Sequence, residues 1–222
     1  MRKGWMLALL VLVFATSTAR ATTVAGVEFY GSSNSFALGP WATDLVDGAR
    51  SEGHLTNDPT KAMSGGAGLR ARGNGWMASL DYETLPVEMN IEAQRYGGTR
   101  RLMGDMTASV VEANVGFMVG NVKGFAVGFG GGVGIYSLSG GVQIQDEYGD
   151  FMLNRTMEGT TVGGQFMGMV EANLGGQFAL IGAVGHRGAK VSQPISDGVN
   201  LPIEVDYSGT FGRVGFALYL SK

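Results

Sequence analysis

The sequence predicts an all-β fold: an eight-stranded antiparallel transmembrane β-barrel with short turns at one end and long polar loops at the other. Three observations lead there. Segments of roughly 8–14 residues alternate in polarity with period two, and no amphipathic helical stretch of comparable length competes with them. Short glycine-bearing turns and long polar stretches alternate between those segments. In most of them one face is bulky and apolar, while the other carries carboxylates, amides, arginines or glycines.

The first 21 residues read as a secretory leader and are set apart from the fold. Arg2 and Lys3 form a positive start, Trp5 to Phe14 an apolar run, and Ala19-Arg20-Ala21 a cleavage pattern, so the mature chain is expected to begin at Thr22. Ten apolar residues are too few for a membrane-spanning helix, which needs about 20. Residues 22–222 then form one expected domain. Without Arg2, Lys3 and Arg20 it keeps 13 Lys and Arg against 19 Asp and Glu, a net charge of −6 with no basic tract for nucleic acid. There is no cysteine, so neither disulfides nor thiolate metal ligands enter the fold.

Eight strands are expected, at roughly 24–37, 63–72, 76–84, 106–119, 125–139, 159–173, 178–189 and 205–220. "GNG" (73–75), "GNVKG" (120–124) and "NLGGQ" (173–177) make the short turns. Stretches at about 39–62, 85–105, 141–158 and 190–204 are expected as the long loops, and they hold all five prolines. A short helix is expected at 41–49. An even strand count with turns of two kinds is the outline of an outer-membrane-type barrel.

An aromatic follows each short turn: Trp76, Phe125 and Phe178, with Tyr219 at the same level near the C-terminus. These four are expected to form an interfacial girdle. Counting by twos from them separates the faces. Trp76, Ala78, Leu80 and Tyr82 would meet lipid, while Met77, Ser79, Asp81 and Glu83 would line the lumen. The same count explains why "VVEANVG" (110–116) and "MVEANLG" (169–175) embed Glu and Asn in apolar runs: Glu112, Asn114, Glu171 and Asn173 face inward. Arg70, Arg72, Arg187 and Arg213 are the inward cations. Two cross-lumen clusters are therefore expected, Arg70 and Arg72 with Glu171, and Glu112 with Arg213, joined by Asp81, Asn114 and Asn173. The last strand has an open phase. Val214, Phe216, Leu218 and Leu220 read as lipid-facing, but Val205, Tyr207 and Phe211 have the opposite parity. Either a bulge intervenes near Gly212 or the outer half lies above the membrane.

The closing segment "RVGFALYL" places Arg213, Gly215, Leu218 and Leu220 in a polar-x-Gly-x-x-apolar-x-apolar pattern. It resembles the signal by which outer-membrane barrels are recognised for assembly. With the leader and strand count, the chain resembles the small eight-stranded outer-membrane β-barrel proteins of Gram-negative bacteria, the group of the OmpA transmembrane domain, OmpX and OmpW. That group usually ends on an aromatic, whereas this chain runs on to Ser221-Lys222. The resemblance implies a cell outer membrane location. It also implies lipid, lipopolysaccharide and the barrel assembly machinery as partners, and surface ligands through the loops.

Function reads first as a structural or surface-interaction barrel, then as a narrow channel for small solutes or ions, then as a lipid-modifying enzyme. His54 and His186 are the only histidines and neither sits in a nucleophile–base context, so no catalytic residue, cofactor or metal ligand is assigned. Asp146, Glu147 and Asp150 read as a solvated acidic loop.

Overall fold

The computed structural model describes residues 23–37, 59–95, 98–145, 151–194 and 202–220, together with positions 43, 47, 50–52 and 148. The expected leader, His54, Asp146, Glu147 and Asp150 lie outside the described residues, as does most of the helix expected at 41–49; Thr43 and Asp47 of that stretch are helical.

Among the described residues the strands are β1 (Val24–Ser35), β2 (Lys61–Gly73), β3 (Trp76–Arg95), β4 (Gly98–Gly120), β5 (Phe125–Gln145), β6 (Phe151–Gly175), β7 (Phe178–Gly188), β8 (Lys190–Pro194), β9 (Pro202–Asp206) and β10 (Gly209–Tyr219). Eight of them close into one antiparallel barrel in the order β1-β10-β7-β6-β5-β4-β3-β2, and β8 pairs with β9 in a separate hairpin. The tight turns follow from local chemistry: Asn74-Gly75 joins β2 to β3, and Gly75 takes a φ of 87° that a side chain would oppose.

A row of paired neighbours starting at Ala172 passes Leu180, Phe216, Phe29, Ala67, Tyr82, Val111 and Ile135, and returns to β6 at Val162. The return is displaced by ten residues (172 against 162), a stagger that tilts eight strands by about 40°.

Two of the expected loops are strand instead. β3 and β4 remain paired from Trp76–Phe117 up to Arg95–Gly98, so the stretch at 85–105 is a long ribbon. β5 and β6 pair up to Gln145–Phe151, which takes in most of 141–158. The stretch at 190–204 holds β8 and part of β9. The reason these stretches read as loops is that the alternation persists through them with its sense reversed. In the turn-side part of the barrel the large apolar side chains point outward: Phe129 is 69 % exposed, Val162 73 % and Val214 74 %. Past the row Tyr82–Val111–Ile135–Val162, the outward positions become Thr84, Thr107, Ser109, Ser137, Ser139, Glu158 and Thr160. The inward positions become Leu85, Val87, Met106, Ala108, Val110, Tyr136, Leu138, Val142 and Met157, which form one buried cluster with Phe36, Ala189, Val191, Val205 and Tyr207.

The inversion has one physical cause. Where lipid surrounds the barrel, apolar groups face out; where water does, the hydrophobic effect drives them in. The outward run from Phe125 to Ile135 measures roughly 25 Å along the barrel axis after tilt, the height of a bilayer's apolar band. The same cause settles the phase of the last segment. Val205, Tyr207 and Phe211 point inward with Arg213, and both ladders run unbroken through Gly212, so no bulge intervenes and the outer half rises above the lipid band.

Candidate functional site

The lumen is built in rows that cross the strands. Glu28, Gly68, Asp81, Glu112 and Gly134 are successive partners across β1 to β5. The neighbouring row reads Arg70, Ser79, Asn114, Gly132, Gln165 and Arg187. Glycines stand among the polar side chains of both rows, and the space they leave is taken. A Cβ at Gly134 would come within 2.6 Å of Glu112 Cγ, and one at Gly132 would collide with the Asn114 amide.

Arg70 anchors the cluster nearer the turns. Its Nη1 donates to Glu28 at 2.9 Å, its Nη2 to Glu171 at 2.8 Å, and its Nε to the Tyr219 hydroxyl at 3.2 Å. Arg72 lies 3.8 Å from Glu171 and donates mainly to the Gly73 and Trp76 carbonyls. Arg213 anchors the second cluster, donating to Glu83 at 2.6 Å and Glu112 at 2.9 Å, while Arg187 reaches Glu83 at 3.2 Å. Tyr136 and Gln165 donate to the two oxygens of Glu112 at 2.7 and 2.8 Å. Phe211 underlies both Arg187 and Arg213, and Tyr30 adds a second ring beside Arg213.

The structure thus brings Arg70, Arg72 and Glu171 together, and Glu112 with Arg213. Asp81 and Asn114 join at 2.8 Å. Asn173 does not reach these clusters. At the register shift before Gly175 its side chain turns to the backbone, donating to the Val122 carbonyl at 3.2 Å and accepting from the Gly175 amide at 2.8 Å. Glu28, Tyr30, Tyr136 and Gln165 complete the network without having been singled out, and Glu83, read only as lumen-facing, takes two of its ion pairs. Their strand parity was readable, but Glu28 and Tyr30 lie on a strand with no turn aromatic to anchor the count.

On the exterior, Phe125 and Phe178 are exposed at the turn end and Trp76 is half-buried there. Tyr219 departs from the expected girdle. It is 3 % exposed and points inward, sharing the parity of Arg213 and Ala217, whereas its neighbour Leu220 faces out. Along the last strand Arg213 and Gly215 share the inward parity, while Leu218 and Leu220 lie on the lipid side. His186 is on the outer face, its ring 5.8 Å from Phe166.

Apolar groups fill the lumen on both sides of the charges. Met77, Met118, Ala126, Met167, Met169 and Phe211 form one cluster, and Val24, Val122, Ala179, Ala217 and Tyr219 another at the turn end. A cavity of about 40 Å³ remains between the charged clusters, bordered by Glu28, Asp81 and Arg70 among others. Above the membrane, Asp206 at 3.1 Å and Glu204 at 3.3 Å hold the Lys190 ammonium above its ordinary pKa. No group of three or more His, Cys, Asp and Glu side chains able to hold a metal occurs among the described residues.

Replacing Glu171 with Gln removes a charge from Arg70 and Arg72 while keeping an acceptor. A loss of about 1.5–3 kcal/mol is expected. It should appear as a lower temperature for the gel shift that marks barrel unfolding; an unchanged temperature would count against the pair.

No family model matches the chain, and no curated protein matches it. Solved structures are similar to it along most of its length. Neisserial surface protein A (NspA) is 11 % identical, over 88 % of this chain and 95 % of that one, with a TM-score of 0.46. The outer membrane protein OprG from Pseudomonas aeruginosa is 15 % identical, over 90 % and 96 %, with a TM-score of 0.47. Ail, the attachment invasion locus protein of Yersinia pestis, solved with the heparin analogue sucrose octasulfate, is 10 % identical over 89 % and 97 %, with a TM-score of 0.37. At such identities the likeness is one of fold, and the closed barrel, its apolar band and its charged lumen carry the assignment here. In fold, this chain is a closed eight-stranded antiparallel transmembrane β-barrel.

Proposed function

We propose that the protein is a sealed barrel of the outer membrane that acts at the cell surface, as a rigid platform rather than a conduit. The observation that carries this reading is the lumen, which is occupied along its height by an apolar cluster at the turn end, two ion-pair clusters, and an apolar core above the membrane. β3 to β6 continue past the lipid band as paired strands with a polar exterior, and so carry a rigid ribbon above the headgroups. In this reading the leader is removed before Thr22, and the assembly machinery recognises the segment carrying Arg213, Gly215, Leu218 and Leu220. The barrel then sits among lipid and lipopolysaccharide, with its outer segments meeting the surface ligand.

The test is electrical. Purified barrel reconstituted in a planar bilayer should give no discrete conductance steps, and an epitope inserted at 146–150 should be labelled on intact cells. Reproducible single-channel steps would replace this reading with the narrow channel. An epitope reached only after lysis would place the long strands on the wrong side.

A further inference from the structure

The charges in the lumen do not balance. Among the described residues, Glu28, Asp81, Glu83, Glu112 and Glu171 are buried there with Arg70, Arg72, Arg187 and Arg213, five anions against four cations. Every carboxylate except Asp81 lies within ion-pair distance of a guanidinium. Asp81 is 4 % exposed; its Oδ2 accepts from Ser79 and Asn114, both at 2.8 Å, and its Oδ1 has no partner. Across Gly68 it faces Glu28, another anion. No guanidinium lies within ion-pair distance of Asp81, and a buried carboxyl set against another, as Asp81 is against Glu28, must share a proton or a cation with it.

Asp81 borders the lumen cavity, and so do Met77, Met167 and Met169. Met169 is given room by glycines: a Cβ at Gly116 or Gly130 would come within 2.5 or 3.0 Å of its Cε. Arg70 and Arg213 also border the cavity, but each is already engaged with two carboxylates. A cavity of about 40 Å³ exceeds the roughly 10–15 Å³ that one water needs, so a single ion fits. Thioethers are soft ligands that favour Cu(I)-like cations over hard ones, and a single positive charge can take the place of the proton that the Glu28 and Asp81 carboxyls otherwise share.

We infer that this cavity is a binding site for one soft monovalent cation of the Cu(I) and Ag(I) class, held by the thioethers of Met77, Met167 and Met169 with Asp81 supplying the countercharge. The inference does not depend on the surface role, since a sealed barrel and a conducting one would both retain the site.

Silver ion is the probe, because it is monovalent and needs no reductant. Folded barrel in chloride-free detergent buffer is titrated with Ag+, supplied both during and after refolding, and the bound metal is counted. Wild type should bind one more equivalent than the Met77→Leu/Met167→Leu/Met169→Leu variant, whose substitutions nearly conserve volume. Asp81→Asn should weaken that equivalent at least tenfold, and Met63→Leu, an exposed control, should leave it unchanged. X-ray absorption of the wild-type complex should show sulfur neighbours around silver. Should the triple variant fail to fold, single Met167→Leu and Met169→Leu variants are each expected to weaken binding. Equal stoichiometry in wild type and variants, or a silver spectrum with only oxygen and nitrogen neighbours, would overturn the site.

Discussion

Replacing Arg213 with methionine is expected to destabilise the folded barrel by about 3–5 kcal/mol. Arg213 is buried, and its Nη2 bridges Glu83 and Glu112, which are 1 % exposed each. Taking the guanidinium away leaves Arg187 as the only ion-pair partner of Glu83 among the described residues and leaves Glu112 with hydroxyl and amide donors alone. Methionine fits the apolar side of the site, beside Tyr30 and Phe211, so the loss measures stranded charge more than lost volume. Urea unfolding in lipid vesicles, followed by the gel shift, provides the number. Adding Glu112→Gln should recover part of it, because one stranded anion is then removed. Arg101→Met is the matching control. Arg101 pairs with Glu92 at 3.1 Å, but both side chains are nearly half exposed, and such pairs contribute about 0–1 kcal/mol. Similar losses from Arg213→Met and Arg101→Met would show that the lumen network adds little.

The second large effect lies on the outside. Phe129→Arg should cost about 2–4 kcal/mol, because position 129 stands midway along the lipid-facing run of β5 with its ring 69 % exposed. Ser137→Arg, eight residues further along the same face, should cost about 0–1 kcal/mol, because there the surrounding solvent is water or headgroups. The same substitution on one face of one strand therefore reports where the membrane ends. Equal costs at the two positions would mean that the polarity inversion after Ile135 does not mark the bilayer surface.

Much of this architecture was legible in the sequence because a two-sided strand records its two solvents in alternate letters. The short turns could be placed from Asn-Gly and glycine pairs, the barrel from the even count, and the inward direction of Glu112 and Glu171 from their parity with the turn aromatics. Parity also misled. Tyr219 was expected in the girdle on its distance from the chain's end, yet it shares the phase of Arg213 and so points inward to Arg70. The stretches at 85–105 and 141–158 were expected as loops because polar and apolar residues exchange faces there. A pattern that changes sense resembles a pattern that stops.

The sequence by itself determined that this chain forms a closed antiparallel barrel with an apolar exterior, since only closure satisfies every strand's backbone groups in lipid. It determined too that carboxylates and arginines would share the interior. What only the tertiary structure decided is which of them meet. Pairing depends on a ten-residue stagger around the barrel, accumulated over eight interstrand registers, and no single strand encodes it. That stagger sets Glu83 between Arg187 and Arg213, leaves Asp81 without an ion-pair partner beside three methionines, and lifts four strands into water around an apolar core that Phe36, Val191, Val205 and Tyr207 help to fill.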